Sequence, residues 1–181
     1  MKVSRTQVAE NRQKILQAAA RLFRERGIAG VNVAEIMDAA GLTHGAFYGY
    51  FDSKDDLVAE ALRQALAASE SLFDAGRARY IEDYLSARHR DDPGTGCVFA
   101  ALVTEASRQP KAVREVLTSA LTKQLDRLGR TGGGNDQQRR RAAIADLSAM
   151  VGAMALSRLV DEPKLSAEIL AATRDYLEPE S

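Results

Sequence analysis

Apolar positions recur with helical spacing along almost the whole chain. Ile15, Ala19, Leu22 and Phe23 fall on one face behind Ser4 and Gln7, which have capping-box spacing, until Gly27 supplies a stop. Asn32 with Glu35 three residues on is a second N-cap signature. Behind it Val33, Ile36, Met37 and Ala40 mark a helix of about two turns that stops at Gly41. A third short helix is predicted over 43–50. Its two glycines each cost about 1 kcal/mol against alanine, so tertiary contacts must hold it. Ser53 and Asp56 cap a long helix whose Val58, Leu62, Leu66, Ser69 and Phe73 form a seam expected to run to near Gly76.

Further helices are predicted over 79–90, 95–109, 111–129, 137–160 and 165–177, divided by Asp-Pro-Gly, Gln-Pro, Gly-Gly-Gly and Glu-Pro punctuation. The link over 74–79 is abrupt for two long helices, as if residues were absent there. No pair of alternating strands joined by a tight turn and no internal repeat is present, so the fold class is all-α.

Composition narrows the functions available. The chain has 181 residues, 45% of them hydrophobic and 28% charged, the balance of an ordinary globular protein with one or two small domains. One cysteine rules out an intramolecular disulfide framework, and two histidines argue against a multi-ligand zinc site, so no metal or other cofactor is expected. The first ten residues lack the apolar core of a signal peptide, and no uninterrupted apolar run reaches the ~18 residues that span a membrane. A cytoplasmic protein with no membrane partner is the expectation. The net charge is zero but unevenly spread. Residues 1–26 hold seven Lys or Arg against two acids, and residues 1–54 hold eight against five, leaving 55–181 at −3. A basic front and a mildly acidic back suit binding to a polyanion that weakens as salt rises.

Two short helices joined at Ala40-Gly41-Leu42 and packed on a longer helix have the dimensions of a helix-turn-helix. The second helix of such a unit enters a major groove about 12 Å wide, so its first turn must be small and polar-tipped. Thr43, His44, Gly45 and Ala46 fit. Gly45 allows close backbone approach, Tyr48 sets its hydroxyl toward a phosphate, and Lys54 supplies a cation for another. Phe47 and Phe51 face back toward the first helix as core.

The run Ile15-Leu-Gln-Ala-Ala-Ala-Arg-Leu-Phe23, Gly27, Val33-Ala-Glu-Ile36, Ala39-Ala-Gly-Leu-Thr43, Gly45, Phe47-Tyr48, Tyr50-Phe51, Ser53-Lys54 and Leu57 resembles the DNA-binding domain of TetR-family transcriptional regulators. The resemblance covers residues 8–62. It implies a helix-turn-helix DNA-binding domain (1–53) and a helical ligand-binding and dimerisation domain (54–181). It also implies a repressor that leaves a palindromic double-stranded operator when a small molecule binds. By position it adds Asn32 to Thr43, His44, Gly45, Tyr48 and Lys54 as DNA contacts. Asn32 stands where the family often has Thr, and Gly49-Tyr50 where aromatic or His pairs are frequent.

Two features lie in the second part. Between 142 and 160 the charges are Asp146 and Arg158 alone, so this helix must be covered on more than one side. Ile144, Leu147, Val151 and Leu159 are candidates for its own subunit. The remainder, with Leu165, Ile169, Ala172, Tyr176 and Leu177, suits a homodimer through the last two helices, or else a deeply buried core helix. Cys97 follows the Pro93-Gly94 break and is expected in the first turn of an apolar helix, where the helix dipole favours thiolate. With Phe99, Ala100 and Val103 it is a candidate lining for an apolar or electrophilic ligand; a small core residue is the alternative. His89, in a charged run, is expected on the solvated surface. No paired carboxylates, phosphate loop or nucleophile-base arrangement with supporting context marks an enzyme. A DNA-binding architectural or cell-division protein without a small-molecule effector is the competing function.

Overall fold

The computed structural model of the protein describes residues 4–73, 75–130 and 132–178, without the side chains of Ser71 and Leu72. The described residues form helices and no strand. In chain order these are α1 (Arg5–Arg26), α2 (Val33–Ala39), a 3-10 helix at His44–Gly49 and α3 (Lys54–Ala68) with a 3-10 extension at Ser69–Phe73. Then come α4 (Arg77–Tyr84), α5 (Ala87–Asp91), a 3-10 turn at Pro93–Thr95, α6 (Val98–Ala106), α7 (Lys111–Arg130), α8 (Asp136–Leu159) and α9 (Pro163–Leu177).

The caps lie where the side chains predict them. Ser4 Oγ accepts from Gln7 N at 3.1 Å, Ser53 Oγ accepts from Asp56 N at 3.1 Å, and Asn32 with Glu35 closes a reciprocal capping box. Asn135 with Gln138 forms another at the start of α8, just before the expected boundary.

Several expected elements are redrawn. The helix over 43–50 is a 3-10 helix, since Gly45 and Gly49 weaken it and Thr43 makes no side-chain cap. The long seam helix leaves α geometry after Ala68, where Ser69 Oγ donates to the Leu66 carbonyl, and Gly76, at φ +91°, becomes the N-cap of α4. Gly76 N donates to the Phe73 carbonyl at 3.1 Å, so one turn makes the abrupt connection; Asp74 lies outside the described residues. The helix over 79–90 breaks at Leu85, and Ser86 caps the separate α5. The helix expected from Thr95 begins at Val98, which leaves Cys97 as its N-cap rather than in its first turn.

Two buried clusters organise the molecule. The first joins Ile15, Ala19 and Phe23 of α1, Ile36 and Met37 of α2, and Phe47 and Phe51 to α3, α6 and the start of α7, so the core of the N-terminal unit continues past residue 53. The second gathers α4, the end of α7, α8 and α9 around Ile81, Leu85, Leu147, Met150 and Met154. α8 is long and apolar enough to cross a membrane by length and composition, yet it packs on α6, α7 and α9. Its inner face is Ala143, Leu147, Met150, Ala153 and Met154. Ile144 and Leu159, expected on that face, stand exposed, because the helix turns 100° per residue and these positions fall outside the buried arc.

Candidate functional site

The turn between α2 and the 3-10 helix closes through Gly41, whose φ of +71° a side-chain-bearing residue rarely adopts. Its N–H donates to the Asp38 carbonyl and that of Leu42 to the Met37 carbonyl, both at 2.9 Å. This turn aims the His44–Gly49 segment outward. Phe47 anchors it: the ring is 1% exposed and stacks on Phe51 with centroids 5.8 Å apart, while α1 and α3 close over it. Tyr48, the next residue, meets the Phe47 ring edge-on and is 75% exposed.

Asn32, Thr43, His44, Gly45 and Tyr48 are all exposed on these adjoining elements. A Cβ built on Gly45 or Gly49 would meet nothing within 4 Å, so no packing inside the chain demands glycine there. The sixth predicted residue, Lys54, is placed otherwise. Its ammonium donates to the Ile28 carbonyl at 2.6 Å and ties α3 to the loop after α1.

The basic front is also partly spent within the protein. Arg12 pairs with Glu60 at 2.5 Å and lies over the Phe51 ring at 4.8 Å; Arg26 pairs with Glu35, and Arg21 with Glu25. The Arg24 guanidinium donates to the Gly94 carbonyl. Arg5 and Lys14 remain exposed and without an ion pair among the described residues. Two side chains outside the sequence reading, Asn11 and Glu105, support the head. Asn11 Nδ2 donates to the Tyr50 hydroxyl at 3.0 Å, and the Glu105 carboxylate accepts from Ile28 N at 2.9 Å and Ala29 N at 2.5 Å. A local pattern cannot signal partners tens of residues apart.

Around Cys97 the arrangement differs from expectation. His89 is not a solvated surface residue, because the 3-10 turn folds the loop back over it. Nδ1 lies 2.7 Å from the Tyr84 carbonyl, and Nε2 accepts from Cys97 N at 2.9 Å. With Nε2 accepting, Nδ1 carries the proton. Burial, aided by the nearby Arg158 cation, lowers the His89 pKa. Arg158 spans the same loop, donating to the carbonyls of Arg90 at 3.0 Å and His89 at 2.6 Å. The Tyr84 hydroxyl is buried without a hydrogen-bond partner; burial first, and the neighbouring Cys97 second, push its pKa well above the usual tyrosine value. Rings of Phe73, Tyr80, Tyr84 and His89 follow one another at centroid separations of 4.0, 5.9 and 4.6 Å.

The four predicted lining residues do not share one space. Cys97 is half-buried between both clusters, Phe99 packs in the first, Ala100 packs against the second, and Val103 is 52% exposed. The thiol makes no cap hydrogen bond to α6. Between α3 and α7 a space of about 20 Å3, lined by Leu66, Phe73, Gln124 and Arg127 among others, has room for one water.

Residues 15–61 match the sequence pattern described as "Bacterial regulatory proteins, tetR family". The chain is 41% identical over 61 residues to the HTH-type transcriptional repressor KstR2 of Mycolicibacterium smegmatis, a match covering 34% of this chain and 30% of that protein. It is 35% identical over 121 residues to the probable HTH-type transcriptional regulator ArpR of Pseudomonas putida, covering 63% and 52%. The match thus spans about a third of one relative and about half of the other. Solved structures resemble it along nearly the whole chain. The reduced form of NemR from E. coli superposes with TM-score 0.76 at 20% identity, covering 93% of this chain and 95% of that one. A TetR transcriptional regulator from Chloroflexus aurantiacus gives 0.78 at 21%, covering 97% and 98%. At such identities the likeness establishes the fold.

Proposed function

We propose a function on the premise that this chain belongs, through its N-terminal domain, to the TetR family of bacterial regulatory proteins: it is a cytoplasmic transcriptional repressor that binds a palindromic operator as a homodimer and leaves it when a small molecule or reactive electrophile engages its body. Residues 1–53 are the DNA-binding part and 54–181 the ligand-binding and dimerisation part. One observation carries the reading. Within the matched segment, Thr43, His44, Gly45 and Tyr48 are exposed around a buried Phe47, and Asn32 is exposed at the N-cap of α2. Small and hydroxyl-bearing residues at the start of such a segment suit entry into a major groove, with Tyr48 on a flanking phosphate. Because Lys54 is engaged with Ile28 and Arg24 with Gly94, the cations of residues 4–54 left without an ion pair among the described residues are Arg5 and Lys14.

The homodimer reading rests on apolar side chains left outside. Leu156, Leu159, Leu165 and Tyr176 are exposed on α8 and α9. A two-fold axis beside these helices would bury them and set two reading faces about 34 Å apart, one turn of DNA.

The effector reading rests on Cys97 and the unpartnered Tyr84 hydroxyl beside it. The Cys97 sulfur adds to the β-carbon of a carbonyl-activated alkene, the C=C π bond opens and the α-carbon takes the thiol proton, while the Tyr84 hydroxyl donates to the carbonyl oxygen of the ligand. Cys97, Phe99, Ala100 and Val103 pack in different clusters or face solvent, so a ligand on the thiol has to part the helices around Cys97. The competing reading is a DNA-binding protein without effector. The test is footprinting on DNA selected from a random duplex library, with and without N-ethylmaleimide, for the protein and its Cys97→Ser variant. A two-fold footprint lost with the reagent in the protein and kept in the variant supports the full reading. A footprint indifferent to the reagent removes the electrophile, and no discrete footprint removes the repressor.

A further inference from the structure

α6 is fastened at both ends to the unit that carries the reading face. At its C-terminal end the two carboxylate oxygens of Glu105 accept the consecutive N–H groups of Ile28 and Ala29 at 2.9 and 2.5 Å. These amides belong to the loop that leads from α1 to α2. Gly27 caps α1 there at φ +79°, and a Cβ on it would lie 2.7 Å from Glu105 Oε2, so carboxylate and backbone are closely fitted. At the other end Arg24 of α1 donates to the Gly94 carbonyl, just ahead of α6. Lys54 donates to the Ile28 carbonyl, so the Ile28–Ala29 peptide is held at both its C=O and its N–H. Glu105 lies 76 and 77 residues from its partners and belongs to neither the exposed face nor the Cys97 surroundings.

We infer that Glu105 is a positioning residue that fixes the angle of the DNA-reading head on the body, and thereby the half-site spacing that the dimer accepts. This inference rests on the repressor reading above. A carboxylate that accepts two N–H groups resists rotation of the loop about either bond; with one bond the head turns about it. In a dimer held through α8 and α9, a change of that angle moves the two reading faces relative to each other. A single half-site does not sense it, whereas a palindrome does, because the spacing is set by geometry.

The experiment compares the full-length protein with Glu105→Gln, whose amide accepts one N–H and opposes the other, and Glu105→Asp, which keeps the charge but withdraws it by one methylene. Each is titrated against duplexes selected on the wild-type protein from a random library: a single half-site, and palindromes with the spacing changed in steps of one base pair. Thermal unfolding is recorded in parallel. The wild-type protein prefers one spacing. In both variants half-site affinity stays within twofold, while affinity at the preferred spacing falls about tenfold, the size of one lost charge-assisted hydrogen bond, and neighbouring spacings become equivalent to it. Equal loss at every spacing and on the half-site, or an unchanged profile in a folded variant, overturns the inference and leaves the repressor reading standing. If the wild-type protein selects no two-fold DNA, the repressor reading falls and the inference with it. A variant that fails to unfold cooperatively is replaced by the other, and the same profile decides.

Discussion

Replacing His89 by glutamine tests the least expected part of the body. The neutral imidazole makes two contacts, Nδ1–H to the Tyr84 carbonyl at 2.7 Å and Nε2 from Cys97 N at 2.9 Å, and so holds the N-terminus of α6 to the end of α4. A glutamine amide keeps a donor and an acceptor but not the ring's span. The protein is therefore expected to be about 1–2 kcal/mol more stable than His89→Gln at pH 7.5, the worth of one to two hydrogen bonds. That advantage depends on pH in a defined sense. The unfolded chain protonates His89 near pH 6.5, whereas burial and Arg158 hold the folded-state pKa lower. Between these two values the unfolded state binds more protons, so acid favours unfolding. The gap between protein and variant stays constant above about pH 6.5 and narrows below it by at most about 1.4 kcal/mol per pH unit. It levels off once the folded protein is also protonated. Urea unfolding of both proteins from pH 5 to 8 measures this, and subtraction removes the titrating groups they share. A gap that widens on acidification, or does not change with pH, refutes the assignment of a buried neutral imidazole that accepts from Cys97.

Three further substitutions separate roles within the molecule. Phe47→Ala removes a ring that is 1% exposed and is expected to cost about 3–5 kcal/mol in urea unfolding; a cost below 1 kcal/mol would contradict its anchoring role. Lys54→Met loses the bond to the Ile28 carbonyl, with an expected cost of about 1–2 kcal/mol and no change in the salt dependence of DNA binding; a salt slope lower by about one returns this lysine to a phosphate. Leu159→Lys alters a side chain that is 78% exposed, so thermal stability at low protein concentration is expected to stay within about 0.5 kcal/mol while sedimentation reports monomer; persistence of the dimer would move the interface elsewhere.

What the chain reveals in its own letters is what is decided locally. Ser4, Asn32 and Ser53 take amides three residues on, so each cap is legible within four letters. The contrast between Phe47 and Tyr48 follows from helical spacing against α1, and Asn32, Thr43, His44, Gly45 and Tyr48 are each exposed. Errors arise where a tertiary contact outweighs a local pattern. Tyr80, Ile81, Tyr84 and Leu85 carry an apolar period that runs on into a charged stretch, which conceals the break at Leu85 and the cap at Ser86. His89 reads as surface because its neighbours are charged, but the turn at Pro93–Thr95 brings Cys97 N–H onto its ring. Glu105 is one acid on an amphipathic helix, and its partners are backbone groups, which no residue pattern announces.

Thr43, His44 and Tyr48 are proposed to bind DNA without supporting the fold. The most direct test is the affinity of Thr43→Ala/His44→Ala/Tyr48→Phe for duplex DNA selected on the unaltered protein, measured beside its thermal unfolding. All three side chains are exposed, so the unfolding midpoint is expected to shift by no more than that of an ordinary surface change, within about 0.5 kcal/mol for each substitution. Affinity is expected to fall more than tenfold, since contacts worth about 1 kcal/mol each are lost from both half-sites. Unchanged affinity in the folded variant would contradict the claim.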